Sequence, residues 1–406
     1  MTGQLTEPSG LGAVKFRVAL LIETSHEFGR GLLRGIQAYV LRHGPWGLHV
    51  MPGDFTQILP AMRSWRGTGI IARVTTRSLE QAIHASGLPF VGVCLTERQV
   101  APGGNFAGKV FIHADSESIA RVAIEHLLER GLRNIAFVGE ADGTRWSSAR
   151  QRAAVTVLAK EHGISCRVYP PPPKAGQDWG REIWTLARWL AGLPRPCGII
   201  APTDLRGRQV IEACREAGLR VPDEAAVIGV DNEALLCALC DPPLTSVALD
   251  VERVGWQAAQ VLDSLMRGEK VASKPIVINP VHVVARLSTA TADAPDPRIA
   301  AALRFILRHS HHLIQVSDVA KHAGLSRRSL EARFRAATSQ TVLSEIRRMR
   351  LSHVSTLLRE SDASVTDIAA ASGFASANYL AKVYKRAHGV TPQAFRAKVR
   401  CLEPPP

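Results

Sequence analysis

No apolar run in the 406-residue chain approaches the eighteen or so residues that a helix needs to cross a bilayer. The stretch from Met1 to Val14, read as a disordered N-terminus, has no basic segment followed by an apolar one, so a cytoplasmic protein with no membrane partner is expected. Cysteine is sparse. Seven are scattered through the chain, which reads as small buried side chains in a reducing compartment and excludes a disulfide framework. Only Cys237 and Cys240 form a CxxC, and without a second pair a structural role outweighs a metal or redox one. Walker loops, nucleophile elbows and HExxH are also missing, and Ser25-His26-Glu27 is a run of neighbours in sequence, not a triad. Neither an enzyme, nor a cofactor, nor a metal is expected.

What is present is positive charge, unevenly placed. The formal net charge is +14, and Arg298 to Arg400 holds 18 Lys or Arg against 6 Asp or Glu, which leaves only +2 for the rest. A field concentrated in one domain draws a polyanion. The length itself calls for two or three domains.

From Phe16 to about Arg286, short apolar runs alternate with amphipathic helical stretches. Strands are predicted at Phe16–Ile22, Gly69–Val74, Phe90–Leu95, Asn134–Gly139, Cys197–Pro202 and Ala226–Val230, each too short and too continuous for a helix. Between them lie helices such as Gly29–Arg42, with Leu32, Leu33, Ile36, Tyr39 and Val40 at the helical period. Such alternation means parallel sheets wrapped by helices. About 270 residues exceed one such sheet, so residues 15–287 are read as a two-lobed α/β sensor with a break near Ile112. Residues 288–297 lose periodicity and gain proline, as a linker does. Everything after them is helical: a domain over 298–398 and a tail over 399–406.

That helical end contains a repeat. Val316, Asp318, Ala320 and Gly324 recur 49 residues on as Val365, Asp367, Ala369 and Gly373; Ser326, Leu330, Phe334 and Thr341 recur 50 on as Ser376, Leu380, Tyr384 and Thr391. Each copy reads as a helix-turn-helix, over 317–337 and 366–387. Ser317 and Thr366 are expected to cap the first helices, and Ser326 and Ser376 the second. Leu330 with Phe334, and Leu380 with Tyr384, then point to the core. The free side carries Arg327, Arg328, Glu331 and Arg335 in the first copy and Ala377, Asn378, Ala381, Lys382 and Lys385 in the second. Arginine can read guanine and asparagine adenine, glutamate can accept from cytosine, and lysine suits phosphate, so double-stranded DNA is the expected partner. Thr341 to Leu358 is predicted as one connecting helix, buried along Leu343, Ile346, Met349 or Arg350, Val354 and Leu357. If rigid, it could set the two reading helices in successive major grooves.

In an open α/β sheet, side chains at the carboxyl ends of strands hold small ligands, and a cleft between two lobes is their normal place. Those expected there are Glu23, Thr24, Ser25, Arg30, Arg73 and Asp115 from the first lobe. The second lobe supplies Arg145, Trp146, Asp204 with Arg206, Asp231 and Asn232. Aspartate, asparagine and arginine beside a tryptophan face suit sugar hydroxyls. Capping of a helix is the competing role for Asp115 and Asp204. The other function class to weigh is an α/β small-molecule-binding protein or enzyme with an auxiliary basic domain.

The run Gly373-Phe374 through Tyr379-Leu380, Tyr384-Lys385, Gly389 and Thr391-Pro392 to Phe395-Arg396 resembles the AraC/XylS family of regulators, over about Arg298 to Lys398; Ser339 and Val342 depart from it where glycine and proline are usual. Ile228-Gly229-Val230-Asp231-Asn232-Glu233 with Leu244-Thr245-Ser246-Val247 resembles the LacI-type and periplasmic sugar-binding fold. The combination is similar to the xylose-operon type of regulator. The resemblance implies a transcription activator of sugar-catabolism genes, a homodimer, contact with RNA polymerase and a sugar or sugar-acid effector. Ile22-Glu23-Thr24 and Ala72-Arg73-Val74-Thr75-Thr76 stand where that type carries asparagine and acidic groups, so an acidic sugar and a neutral one other than xylose are both open.

Overall fold

The computed structural model describes residues 16–50, 53, 65–140, 146–171, 179–290, 297–338 and 340–402. The N-terminal segment 1–14, Arg145 and the linker residues 291–296 lie outside them. In chain order the elements are β1 (Phe16–Leu21), α1 (Glu27–His43), β2 (Trp46–Val50), β3 (Gly69–Arg73), α2 (Arg77–Ser86), β4 (Phe90–Val93), α3 (Glu97–Val100) and β5 (Phe111–Ala114). There follow α4 (Ser116–Leu128), β6 (Asn134–Phe137), α5 (Trp146–Glu161), β7 (Ser165–Val168), α6 (Trp179–Ala191), β8 (Cys197–Ile200) and α7 (Asp204–Glu216). Next come β9 (Ala225–Val230), α8 (Ala234–Leu239), β10 (Thr245–Leu249), α9 (Val251–Met266), β11 (Ile276–Ile278), β12 (Pro280–Val284) and a 3-10 turn at Leu287–Thr289. The last are α10 (Pro297–His309), α11 (Val316–His322), α12 (Arg327–Thr338), α13 (Val342–Glu360), α14 (Val365–Ala371), α15 (Ala377–His388) and α16 (Pro392–Leu402).

The chain divides into two compact units: Met1–Asp115 with Asp250–Asn279, and Ser116–Leu249 with Pro280 onward. The first holds a six-stranded parallel sheet in the order β11-β5-β4-β3-β1-β2. The second repeats that order as β12-β10-β9-β8-β6-β7, with β12 antiparallel. The predicted break near Ile112 matches a crossing between units at 115/116, and the chain crosses twice more, at 249/250 and 279/280. Periodicity could not show this, because α9 and β11 return to a lobe already built. Their return is cemented by glycine, since a Cβ on Gly35 would lie 2.0 Å from the Glu252 carbonyl oxygen and one on Gly255 2.2 Å from that of Leu32. Helices α1 and α9 therefore pack backbone to backbone.

The linker boundary is corrected as well. Ser288 and Thr289 are fully buried, and Ser288 Oγ donates to the Val227 carbonyl at 2.6 Å, so the sensor extends past 287. Helix α10 opens at Pro297 and α16 runs through Leu402, which overlaps the expected tail.

The helical end has two small cores. Ile299, Ile306, Val319, Leu330, Phe334 and Ile346 form one; Val354, Leu358, Ile368, Phe374, Leu380 and Tyr384 form the other. Helix α13 spans both, its first half in one and its second half in the other. Its buried stripe is Val342, Ile346, Leu351, Val354 and Leu358, while Leu343 is 43% exposed. The predicted stripe thus starts one residue late, because Thr341 is the N-cap and Val342 the first residue turned inward.

Candidate DNA interface and effector site

The two helix-turn-helix copies obey one set of local rules. Their first helices begin at Val316 and Val365 and their reading helices at Arg327 and Ala377, which reproduces the 49- and 50-residue offsets. Gly324 and Gly373 turn the chain with φ of 63° and 70°, a conformation open to glycine at little cost. Gln315 and Ser364 are the N-caps, a correction to Ser317 and Thr366, which sit inside the first turn. Ser326 and Ser376 cap as expected, accepting from the amides of Ser329 and Tyr379 at 3.2 Å each.

Leu330, Phe334, Leu380 and Tyr384 are fully buried, and the Tyr384 hydroxyl lies 2.9 Å from that of Ser355. The opposite faces expose Arg327, Arg328 and Arg335 on α12, and Asn378, Lys382 and Lys385 on α15. Glu331 and Ala381 are half-buried. Ala377 is corrected: it packs against the second core, because it lies three residues before Leu380 on the same face. Tyr379, which the contact pattern missed, is 42% exposed beside Asn378 and accepts from Arg347 Nη2 at 3.3 Å.

Arg350 ties the copies together. From α13 it donates to the carbonyls of Ser310 (2.9 Å), His312 (2.8 Å) and Ile314 (3.2 Å), which lead into the first copy. A Cβ on Gly373, at the turn of the second copy, would lie 3.0 Å from Arg350 Nε.

In both sheets the strand order reverses between a first strand and the one beside it, at β1/β3 and β6/β8. That switch point is where open α/β sheets leave a crevice outside the strand ends. In the first lobe Glu23 and Arg73 meet there, after β1 and at the end of β3. Arg73 Nε and Nη2 each donate to one Glu23 oxygen at 2.9 Å, and the guanidinium carbon lies 4.8 Å from the centre of the Phe28 ring. Glu23 is 1% exposed. Gly29 permits this, since a Cβ there would fall 1.8 Å from the Glu23 carbonyl oxygen. Thr24 pairs with Gly53 through both backbone and hydroxyl, Arg30 holds Glu27 and the Thr24 carbonyl, and Ser25 is exposed at the same strand end. Asp115 stands apart from this group: it follows β5, which β4 separates from β3, and its amide donates to the Ile278 carbonyl at 2.9 Å.

At the β6/β8 switch point of the second lobe, Thr203 Oγ1 donates to Glu140 at 2.7 Å, a pair the sequence reading overlooked although both strands were recognised. Arg206 is 1% exposed, bonded to Glu182 at 2.5 Å and to the Gly139 carbonyl at 2.9 Å, and so belongs to the core and not to the site. Thr203, not Asp204, is the N-cap of α7. Asp204 is 2% exposed and accepts from the Glu233 amide at 2.7 Å, which makes it a support beneath the strand-end loop, a correction to its place among ligand contacts. Burial pushes its carboxyl up to about 7, against the lowering hydrogen bonds of Ser246 and Glu233. Asp231 and Asn232 form that loop, with φ of 99° and 53°. Residues other than glycine held there carry strain of order 1–3 kcal/mol, and such strain collects at ligand clamps. Helix α5 opens at Trp146, whose side chain, like Arg145, lies outside the described residues.

Cys237 and Cys240 are buried free thiols, both pushed up by burial, Cys240 to about 11, which favours their structural role. Among the described residues no group of three His, Cys, Asp or Glu could hold a metal ion, and no helix is long and apolar enough to cross a membrane.

Two family models match the chain: one described as a periplasmic binding protein-like domain over residues 124–289, and one described as a helix-turn-helix domain over 319–398. The xylose operon regulatory protein of Escherichia coli K12 is 30% identical over 94% of this chain and 97% of its own length. Its Haemophilus influenzae counterpart is 31% identical over 94% and 98%. The solved structure of the xylose-binding transcription activator XylR superimposes with a TM-score of 0.62 at 30% identity, over 94% of this chain and 98% of that one.

Proposed function

This chain belongs to the family of the xylose operon regulatory protein, and on that premise we propose that an uncharged sugar, bound by the strand-end side chains of its sensor, controls how its two helix-turn-helix units hold DNA. It is a transcription regulator with an AraC-type DNA-binding domain and a periplasmic-binding-protein-like sensor.

The observation that carries the choice of ligand is the Glu23–Arg73 fork. An arginine free to meet a carboxylate would favour a sugar acid, but here a buried carboxylate already opposes its charge through two hydrogen bonds. Arg30 is likewise opposed by Glu27. Among the described residues this leaves the first lobe's strand-end crevice polar without an excess cation, which suits hydroxyl groups. Glu23, Thr24, Ser25, Arg30, Arg73, Asp231 and Asn232 are the proposed effector residues, with Arg145 and Trp146 expected to join them. Glu140 and Thr203 are added.

On the DNA side, Arg327, Arg328, Glu331, Arg335 and Asn378 are proposed to face base edges and Lys382 and Lys385 the phosphates. A cytoplasmic homodimer that contacts RNA polymerase completes the proposal. The test is a thermal-shift screen of pentoses, hexoses and sugar acids on the purified chain, since a ligand stabilises what it binds. A neutral sugar should raise the melting temperature; stabilisation by acids alone would overturn the choice of class.

A further inference from the structure

Arg286, which follows the last strand of the second unit, touches both the strand-end loop of the sensor and the start of β10. Several bonds hold the left-handed loop at Asp231 and Asn232, where the Asp231 amide donates to the Val247 carbonyl at 3.0 Å. The Asn232 amide donates to Ser246 Oγ at 3.0 Å, the Glu233 amide to Asp204 at 2.7 Å, and Arg286 Nη2 to Asn232 Oδ1 at 2.7 Å. The Arg286 Nη1 donates also to the Leu244 carbonyl at 2.9 Å, so both terminal nitrogens of the guanidinium are held. The Arg286 amide donates to Thr245 Oγ1 at 2.8 Å. That hydroxyl lies 2.8 Å from Thr289 Oγ1, which is 2.9 Å from His126 Nε2.

Thr289 is fully buried and stands two residues before segment 291–296, which leads to the DNA-binding helices. His126 ends the row on α4. Its imidazole is pushed down to about 2 by burial first, then by the cations of Arg130 and of Arg348 on α13. Arg348 in turn is bonded to Glu345 at 2.6 Å. Every link from Asn232 to Thr289 is a buried or half-buried polar contact with a defined partner, and the bonds of such a network strengthen one another.

We propose that Arg286 is a positioning residue that couples the effector loop to the DNA-binding end. An effector that engages Asp231 or Asn232 shifts the loop, Arg286 carries the shift to the Leu287–Thr289 turn, and the helices beyond follow. A packed polar junction with two discrete arrangements is what coupling between sites requires. This inference rests on the sugar-sensing function proposed above and concerns its regulation.

The experiment uses the full chain and a duplex selected from a random library by that chain. DNA affinity is measured with and without D-xylose, L-arabinose, D-ribose, D-glucose and D-galactose, each added separately, and sugar affinity is followed by calorimetry. For the unaltered chain at least one sugar should change DNA affinity by about 5- to 150-fold. Arg286→Gln should bring that ratio close to one while sugar affinity stays within about tenfold, and Thr289→Val, which keeps the shape and removes the hydroxyl, should lower the ratio without altering sugar affinity. The two effects on the ratio should not add, because they interrupt one route. If Arg286→Gln fails to fold, Thr289→Val carries the same test alone. An unaltered chain indifferent to all five sugars would remove the sugar-sensing function and this inference with it. A responsive chain whose ratio survives both substitutions, or whose losses add, would remove the coupling role alone.

Discussion

Arg73 grips the buried carboxylate of Glu23 through two parallel hydrogen bonds of 2.9 Å, at the point where the first sheet reverses its strand order. Removing one partner has two separable consequences. Arg73→Met would leave a carboxylate that is 1% exposed without its cation, which costs about 3–5 kcal/mol and should be read as a lowered melting temperature. Glu23→Gln keeps the shape and frees the arginine's charge, so calorimetry should show new binding of sugar acids such as D-xylonate at the expense of neutral sugars. Unchanged selectivity would separate the fork from the effector.

Arg328 is exposed on the reading helix of the first copy. Arg328→Ala is expected to cost roughly 1 to 3 kcal/mol on the selected duplex and to relax one base position, read by competition with single-base variants. An equal loss on every sequence would assign it to phosphate.

Arg350 holds three carbonyls ahead of the first copy and abuts the turn of the second. Arg350→Ala should leave binding to a duplex carrying one half-site nearly unchanged and weaken binding to the full site, measured by titration against both. A parallel loss on both duplexes would reduce it to a stability residue.

Asp204 gives a pH dependence of definite sign. Burial raises its carboxyl from the ordinary 3.8 to about 7, so between those values the native chain keeps a proton that the unfolded chain releases. Its contribution to stability therefore falls as pH rises through that window and is level above it; each tenfold change in proton affinity is worth about 1.4 kcal/mol. Asp204→Asn should flatten this part of the melting-temperature profile between about pH 4 and 7 and raise stability at pH 8. A profile identical to that of the unaltered chain would show that Asp204 is ionised throughout.

Much of this was legible in the sequence because it is local. The helix-turn-helix repeat follows from spacing, capping serines and buried pairs four residues apart, all set within one or two turns. The six predicted strands were legible because their runs are buried on both faces. The edge strand β2, with Leu48 and Val50 partly exposed, breaks that pattern and escaped it. What could not be read is non-local. The return of α9 and β11 to the first lobe depends on glycines that matter only once two helices meet. Arg286 and Glu140 acquire their roles from partners 54 and 63 residues away. Asp204 looked like a ligand contact because its strand-end position is right, yet its side chain turns under the loop.

The most direct test of two reading helices held by one connecting helix is a half-turn insertion. Five base pairs placed between the halves of the selected site rotate one half to the opposite face of the duplex. Affinity of the full chain, measured by titration at fixed salt, should fall to that of an isolated half-site. Affinity untouched by the insertion would contradict simultaneous reading by both copies.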